Sequence, residues 1–242
     1  KLYITGGIGA LGNGEAFGGA FELPNMTAYN ETCAAIGNDY WNYRLFLLHG
    51  DAKYIDVMER TLYNGLISGV SLDGKSFFYP NPLESAGQHA RSPWFGVACC
   101  PGNMTRFIAS VPGYVYAATD DRLYVNLYVG GTGTVSLAKG KELRIRQETN
   151  YPWEGRIRLT IDSGKPTQLG LNLRIPGWAR NEAVPGGLYK FTENSSEKVL
   201  LSVNGKPQEI RLEKGYAVIN RVWRKGDVVE LVLPMPVRTI VA

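Results

Sequence analysis

The 242-residue chain is 44% hydrophobic and 20% charged, which places it among ordinary globular proteins and away from disordered or fibrous ones. Its formal net charge of +4 is spread along the sequence, so composition offers no electrostatic footprint for nucleic acid or an anionic membrane. No apolar run reaches the about eighteen residues that a membrane helix needs.

The first stretch, KLYITGGIGALGNGE, contains Gly7-Ile8-Gly9-Ala10-Leu11-Gly12, a G-x-G-x-x-G pattern after an apolar run, with an acidic Glu31 downstream. A dinucleotide loop must open a helix that receives the pyrophosphate and then return to a parallel strand. Here Gly18, Gly19 and Pro24 follow, no helix can form and no βαβ unit appears. An NAD(P)-dependent oxidoreductase is therefore the weakest reading. Helices are expected over 34–48, where Ile36, Tyr40, Tyr43 and Leu47 recur at three- and four-residue steps, and over 51–66, capped by Asp51. Residues 76–82 read as short and extended, and a third helix is expected from Pro101 to Pro112.

Beyond residue 120 the pattern changes to alternation. Strands are expected over 123–129, 134–138, 142–148, 156–162, 169–175, 198–205, 216–223 and 228–235, a set that suits an antiparallel sandwich. The join falls near 113–121. Beginning at Lys1 inside a strand-like segment, the sequence reads as an internal piece of something longer.

Three cysteines, Cys33, Cys99 and Cys100, are too few for a disulfide scaffold; a metal site or a reactive thiol competes with three buried small hydrophobes. Glu31-Thr32-Cys33 could share a metal with the Cys99-Cys100 pair if 30–33 is extended or irregular and the helix starts after it, because i and i+2 diverge on a helix. Cys99-Cys100 would need a bend ahead of the Pro101 helix. A thiol at that helix start is also the better nucleophile, since backbone amides favour its thiolate. His49 reads as a helix-end residue and His89 as a candidate for lining a cleft; Trp94 and Phe95 could stack on sugar or pack, with packing preferred. The N-x-S/T patterns at Asn25, Asn30, Asn103 and Asn194 read as chance matches.

The motifs YITGGIGA, LPNMTAYNETCAAIG, GDAKYIDVMERTLYNG, SLDGKSFFYPNPLES and WFGVACCPGNMTRFIAS, with YVNLYV downstream, resemble glycoside hydrolase family 127, the bacterial β-L-arabinofuranosidases, and the related family 146. The likeness runs in order along the chain, departing at Gly102, where the family usually has a second proline. The resemblance implies an α+β multidomain fold, with 1–115 as the C-terminal part of an (α/α)6 catalytic barrel and 116–242 as an incomplete antiparallel β-sandwich. It implies a zinc ion on Glu31, Cys33, Cys99 and Cys100, with Cys99 as nucleophile, Glu15 as acid/base in an enclosed site, and Tyr79 contacting the sugar. The implied activity is a retaining hydrolase acting on a carbohydrate substrate, with neither nucleic acid nor membrane as partner; a zinc-stabilised carbohydrate-binding module is the alternative. Because such a barrel needs about twelve helices, the missing half is expected from a second polypeptide or from an N-terminal segment, and a homodimer stays open. The bacterial cytoplasm is preferred over the periplasm or secretion.

Overall fold

The computed structural model describes residues 2–137 and 140–242. The chain forms two compact units, one of residues up to His49 together with Tyr54–Pro112, the other of Gly50–Lys53 together with Gly113–Ala242. The first carries the helices and the second the strands, an α+β arrangement. Among the described residues no helix is long and apolar enough to cross a membrane.

Helix α1 (Thr32–His49) begins two residues before the expected start. Asn30, at φ 45°, turns the chain, and the Ala35 N–H closes the first turn on the Glu31 carbonyl at 3.0 Å. The helix start is capped from outside: Thr32 gives its N–H to the Tyr79 carbonyl at 3.1 Å and its hydroxyl to the Phe78 carbonyl at 2.9 Å. Cys33 therefore lies inside the first turn, and the expected extended run through residue 33 is corrected; Glu31 escapes the helical divergence by preceding the helix.

Helix α2 (Ala52–Arg60) has its aspartate cap, Asp51 Oδ1 accepting the Lys53 N–H at 3.0 Å. It does not run on to Leu66 as an α-helix; Thr61–Leu66 makes one π-helical turn and Ile67–Gly69 a 3-10 turn. The Thr61 hydroxyl lies 2.9 Å from the Val57 carbonyl and 3.2 Å from that of Gly6, so the glycine stretch docks where the helical ladder loosens. Gly6 sits at φ 86°, and a β-carbon on it would fall 2.4 Å from Thr61 Oγ1; one on Gly7 would fall 1.9 Å from Asn30 Oδ1. Packing explains these two glycines. The residues that follow form only a 3-10 turn, Asn13–Glu15, which offers no helix N-terminus to a nucleotide.

Helix α3 (Cys99–Ser110) also starts early, and it takes both cysteines into its first turn in place of the expected bend. Pro101 is its third residue, where the missing N–H forfeits no helical bond. α1 and α3 lie against each other, with the Tyr40 and Phe107 rings edge-on at 5.5 Å; Ile36 and Phe46 of α1 and Met104 and Phe107 of α3 are buried.

On the inner side of α1, Asp39 is 0% exposed and neither carboxyl oxygen meets a hydrogen-bond partner among the described residues. Thr61 pulls against the burial, but its single proton is closest to Val57. Burial holds this carboxyl well above the ordinary carboxylate range. Below about pH 4 it is neutral in folded and unfolded chains alike and its contribution is fully present. As pH rises, the unfolded chain ionises first and native stability declines until the folded carboxyl titrates too. Asp39→Asn in the complete protein is expected to raise the melting temperature at pH 8 by roughly 2–8 °C, equivalent to about 1–3 kcal/mol for an unsatisfied buried group, with no gain near pH 4. A thermal-shift series across that range reads it, and a difference independent of pH would remove the assignment.

Strands of the second unit are numbered along the chain. One sheet runs β1 (Tyr116–Ala118), β2 (Arg122–Val125), β6 (Thr167–Arg174), β11 (Tyr216–Trp223), β10 (Leu212–Glu213). The other runs β3 (Gly131–Leu137), β4 (Lys141–Thr149), β5 (Arg156–Ser163), β12 (Val228–Val232), β8 (Leu200–Val203), β9 (Lys206–Pro207). A third pair joins β7 (Lys190–Phe191) to β13 (Ile240–Val241). The two large sheets feed one core, with Leu123, Leu171 and Ile219 from the first and Ile145, Leu159 and Leu231 from the second.

Among the described residues pairing is antiparallel with one exception: β2 lies parallel to β6, Arg122 opposite Gly170 and Val125 opposite Leu173. The strand expected over 123–129 stops at Val125 because Asn126 turns inward. Its carbonyl accepts Arg174 Nε at 2.6 Å and its Oδ1 accepts the Tyr216 hydroxyl at 2.7 Å. Arg174 is itself fully buried, and its carbonyl accepts the Tyr128 hydroxyl. The strands expected over 198–205 and 228–235 are shorter, trimmed by the Asn204 turn and by the Leu233 N–H bonding the Gly155 carbonyl at 2.8 Å. Ala138, the end of another expected strand, lies outside the described residues.

Candidate active site

Two helix starts converge on one group of side chains. Glu31 stands just before α1 and Cys33 in its first turn, while Cys99 and Cys100 open α3; their donor atoms all lie within 4.8 Å of one another. Glu31 and Cys100 are buried, Cys33 and Cys99 half-buried. Sulfur–sulfur distances are 3.3 Å for Cys33–Cys100 and 3.8 Å for Cys99–Cys100, and Glu31 Oε1 lies 3.5 and 3.6 Å from Cys99 and Cys100. These are far beyond the about 2.05 Å of a disulfide, and all three thiols are free. They are close to the roughly 3.8 Å edges of a tetrahedron with bonds of about 2.3 Å. Three thiols and a carboxylate, facing the positive ends of two helices, form a donor set that could hold a metal ion.

The thiols do not ionise in the order that helix position alone predicts. Cys33 is the most acidic, brought down to about 7 first by the hydrogen bond from Cys100 and further by the Asn103 amide, whose Nδ2 lies 3.0 Å from its sulfur. Cys100 is pushed far up by that contact and by burial, and burial also raises Cys99. At Cys99 burial acts against the helix-start effect that favours its thiolate. Ionising all three needs a cation among them.

Tyr79 stands against this group, its hydroxyl 3.2 Å from Cys99 Sγ. Its contact with Cys99 and burial hold the phenol far above its ordinary value, so it keeps its proton beside the sulfur. Its ring is braced edge-on by Phe95 at 5.5 Å. Glu15 lies at φ 52° at the tip of a tight turn and is exposed in this chain, and its Oε1 accepts the Tyr29 hydroxyl at 2.8 Å. Tyr29 and Tyr79 are neighbours with ring centroids 6.3 Å apart. The six residues singled out from the sequence thus fall into a four-donor cluster, a tyrosine touching it and a carboxylate one tyrosine further out.

A family model for the GH127 β-L-arabinofuranosidase catalytic domain matches residues 1–113, and one for the GH127 middle domain matches residues 122–235. The chain belongs to glycoside hydrolase family 127. It is 35% identical over 249 aligned residues to the non-reducing end β-L-arabinofuranosidase of Bifidobacterium longum subsp. longum, covering 97% of this chain and 35% of that one. A solved GH127 β-arabinofuranosidase is 58% identical with a TM-score of 0.96, covering 99% of this chain and 38% of its own. A GH127 β-L-arabinofuranosidase from Geobacillus stearothermophilus T6 is 44% identical with a TM-score of 0.86, covering 98% and 36%. The chain therefore spans little more than a third of the length of these relatives.

Other candidates in this GH127 chain have settled roles. His89 stacks on Phe78 at 4.6 Å and its Nε2 lies 2.9 Å from the Pro80 carbonyl, which ties it to the 76–82 segment. His49 ends α1 and stacks on Tyr54 at 5.7 Å. Trp94 is 64% exposed, against the expected packing. Asn30 is buried, with Nδ2 on the Asn81 carbonyl at 2.9 Å, so its N-x-T pattern is structural. Two residues were missed. Asn103, read as a chance match, holds Cys33 and is itself held by Arg106 Nη1 at 3.1 Å; its place four residues after Cys99 on one helix was the available signal. Tyr29 gave a similar hint by standing two residues before Glu31.

Proposed function

We propose that this chain carries the nucleophile and the acid/base of a retaining glycoside hydrolase that releases β-L-arabinofuranose, or a similar sugar, from glycans. The observation that carries the reading is the convergence of Glu31, Cys33, Cys99 and Cys100, with Tyr79 touching Cys99. On this reading residues 1–115 belong to an (α/α)6 barrel and 116–242 to a β-sandwich. The described residues contain three α-helices, a quarter of the roughly twelve such a barrel needs, so the remainder comes from another segment or polypeptide.

Glu31, Cys33, Cys99 and Cys100 would hold zinc, which when bound keeps the sulfurs ionised. Cys99 Sγ attacks the anomeric carbon while Glu15 gives its proton to the departing oxygen, breaking the glycosidic bond and leaving a sugar–sulfur thioether. Tyr79 steadies the sulfur through its hydroxyl. In the second half Glu15 takes a proton from water, the water oxygen attacks the anomeric carbon, and Cys99 departs as thiolate. Two displacements return the original configuration.

Incubating the complete enzyme with an arabinofuranose-derived electrophile and sequencing the labelled peptide by mass spectrometry tests this. A single adduct on Cys99 is expected. An adduct confined to another residue, or none in an enzyme that turns over substrate, would sink the mechanism; no adduct in a protein that binds sugar without turnover would favour the carbohydrate-binding alternative.

A further inference from the structure

Glu15 occupies an exposed position where nothing in its own segment fixes the carboxylate. The turn that carries it is closed by Leu11 and Ala16, each N–H bonding the other's carbonyl at 3.0 Å, and Glu15 takes a positive φ of 52° there. Exposed glutamates sample several rotamers, whereas proton transfer needs the carboxyl aimed to within a fraction of an ångström of one oxygen. The described residues give this carboxylate one side-chain partner, the Tyr29 hydroxyl at 2.8 Å.

Tyr29 is fastened on two sides. Toward the Glu15 turn, its N–H bonds the Ala10 carbonyl at 3.2 Å and the next N–H, of Asn30, bonds the Gly9 carbonyl at 2.7 Å. A β-carbon on Gly12 would lie 3.4 Å from Tyr29 Cδ2, so the turn rests against this ring. Toward the cysteines, the Tyr29 carbonyl accepts the Asn81 N–H at 3.0 Å and its ring meets that of Tyr79, whose hydroxyl touches Cys99. Asn81 is anchored in turn by Nδ2 to the Gly65 carbonyl at 3.1 Å and to Ser68 Oγ at 2.8 Å.

We infer that Tyr29 is a positioning residue: it aims the Glu15 carboxyl and sets its distance from the Cys99 sulfur by bridging the two segments that carry them. This rests on the proposed roles of Glu15 and Cys99 and extends them to a residue outside both the metal cluster and the acid/base pair. Its hydroxyl acts through Glu15, so losing that hydroxyl alone degrades proton delivery while the ring keeps its packing. The phenol ring carries the packing and the hydroxyl carries the aim, which makes Tyr29→Phe a substitution that separates them.

The test compares two leaving groups on the complete enzyme, because a poor alkoxide leaving group needs the proton and a dinitrophenolate does not. Tyr29→Phe is expected to lower kcat/KM for an alkyl arabinofuranoside by about 10–30-fold, short of the 10²–10⁴-fold that loss of the acid itself brings, and for the dinitrophenyl glycoside by less than about threefold. Glu15→Gln is the reference and should show the same leaving-group dependence with a larger amplitude. Equal losses on both substrates would mean a structural role and overturn the inference, as would no loss on either. If Glu15→Gln shows the dependence and Tyr29→Phe does not, the inference fails and the acid/base role stands. If Glu15→Gln is also indifferent to the leaving group, the underlying reading falls and the inference with it.

Discussion

Cys99→Ala in the complete enzyme should abolish turnover, with kcat falling on the order of 10⁵-fold for every leaving group, because removing a nucleophile forfeits the covalent route as a whole. Insensitivity to the leaving group is what separates this variant from Glu15→Gln. The substitution also removes one of four metal donors, so the loss has to be apportioned. Glu31, Cys33 and Cys100 remain, and three donors can still bind a metal with water completing the shell. Metal content measured by elemental analysis beside kcat makes the division: a variant that keeps most of its metal and has no turnover has lost the nucleophile. A Cys99→Ala enzyme that retains more than about a hundredth of its kcat with its metal intact would move the nucleophile elsewhere. A sugar-binding module would bind ligand equally well with or without Cys99 and would show no turnover to lose.

Chelation is expected to have the second-largest effect. Without a cation the four donors are poorly matched: Cys33 is the acidic thiol, burial favours the protonated form of Cys99, and the contact with Cys33 together with burial favours that of Cys100. A metal binding the folded cluster at about a thousandfold excess over its Kd contributes about 4 kcal/mol. Stripping it should therefore lower the melting temperature by roughly 10 °C, end turnover, and make the three thiols available to a thiol-reactive disulfide. Zinc should restore all three readouts and magnesium none of them, since thiolates prefer the softer ion. Protein that arrives with less than about a tenth of a metal ion per chain, and melts unchanged after chelation, would leave the cluster a set of ordinary buried thiols.

The parts of this fold legible in the sequence are those where one physical rule acts alone. β5 alternates buried and half-buried residues along its length because one face meets the core, and period-two reading finds it at once. β6 is buried on nearly every residue, so its alternation is a poor guide to its partners, and its parallel neighbour β2 could not be foreseen from patterning. The α2 helix was read six residues too long because the π-helical turn keeps the same apolar residues, Leu62 and Leu66, on the inside. The helix starts at Thr32 and Cys99 were missed for a different reason: one is capped by carbonyls of residues 78 and 79, distant in sequence, and the other tolerates a proline that propensity treats as a boundary. The site followed the same division. Glu31, Cys33, Cys99 and Cys100 have side chains whose chemistry announces itself, and the resemblance to GH127 picked out Glu15 and Tyr79. Asn103 and Tyr29 act only through a neighbour's atom, and such a role becomes visible when the neighbour is in place.

The cysteine cluster draws on two segments that lie far apart in the chain: Cys33 and Cys100, 67 positions apart, come within 3.3 Å of each other. Neither half can bind a metal tightly by itself, since one offers a carboxylate and a thiol and the other two thiols. On the proposed reading a cation held here would act as a clasp that shuts only after α1 and α3 have found each other, and once shut would resist their parting. Order of assembly and readiness for chemistry would then become a single event, and a chain folded wrongly in this region would also lack the proposed nucleophile.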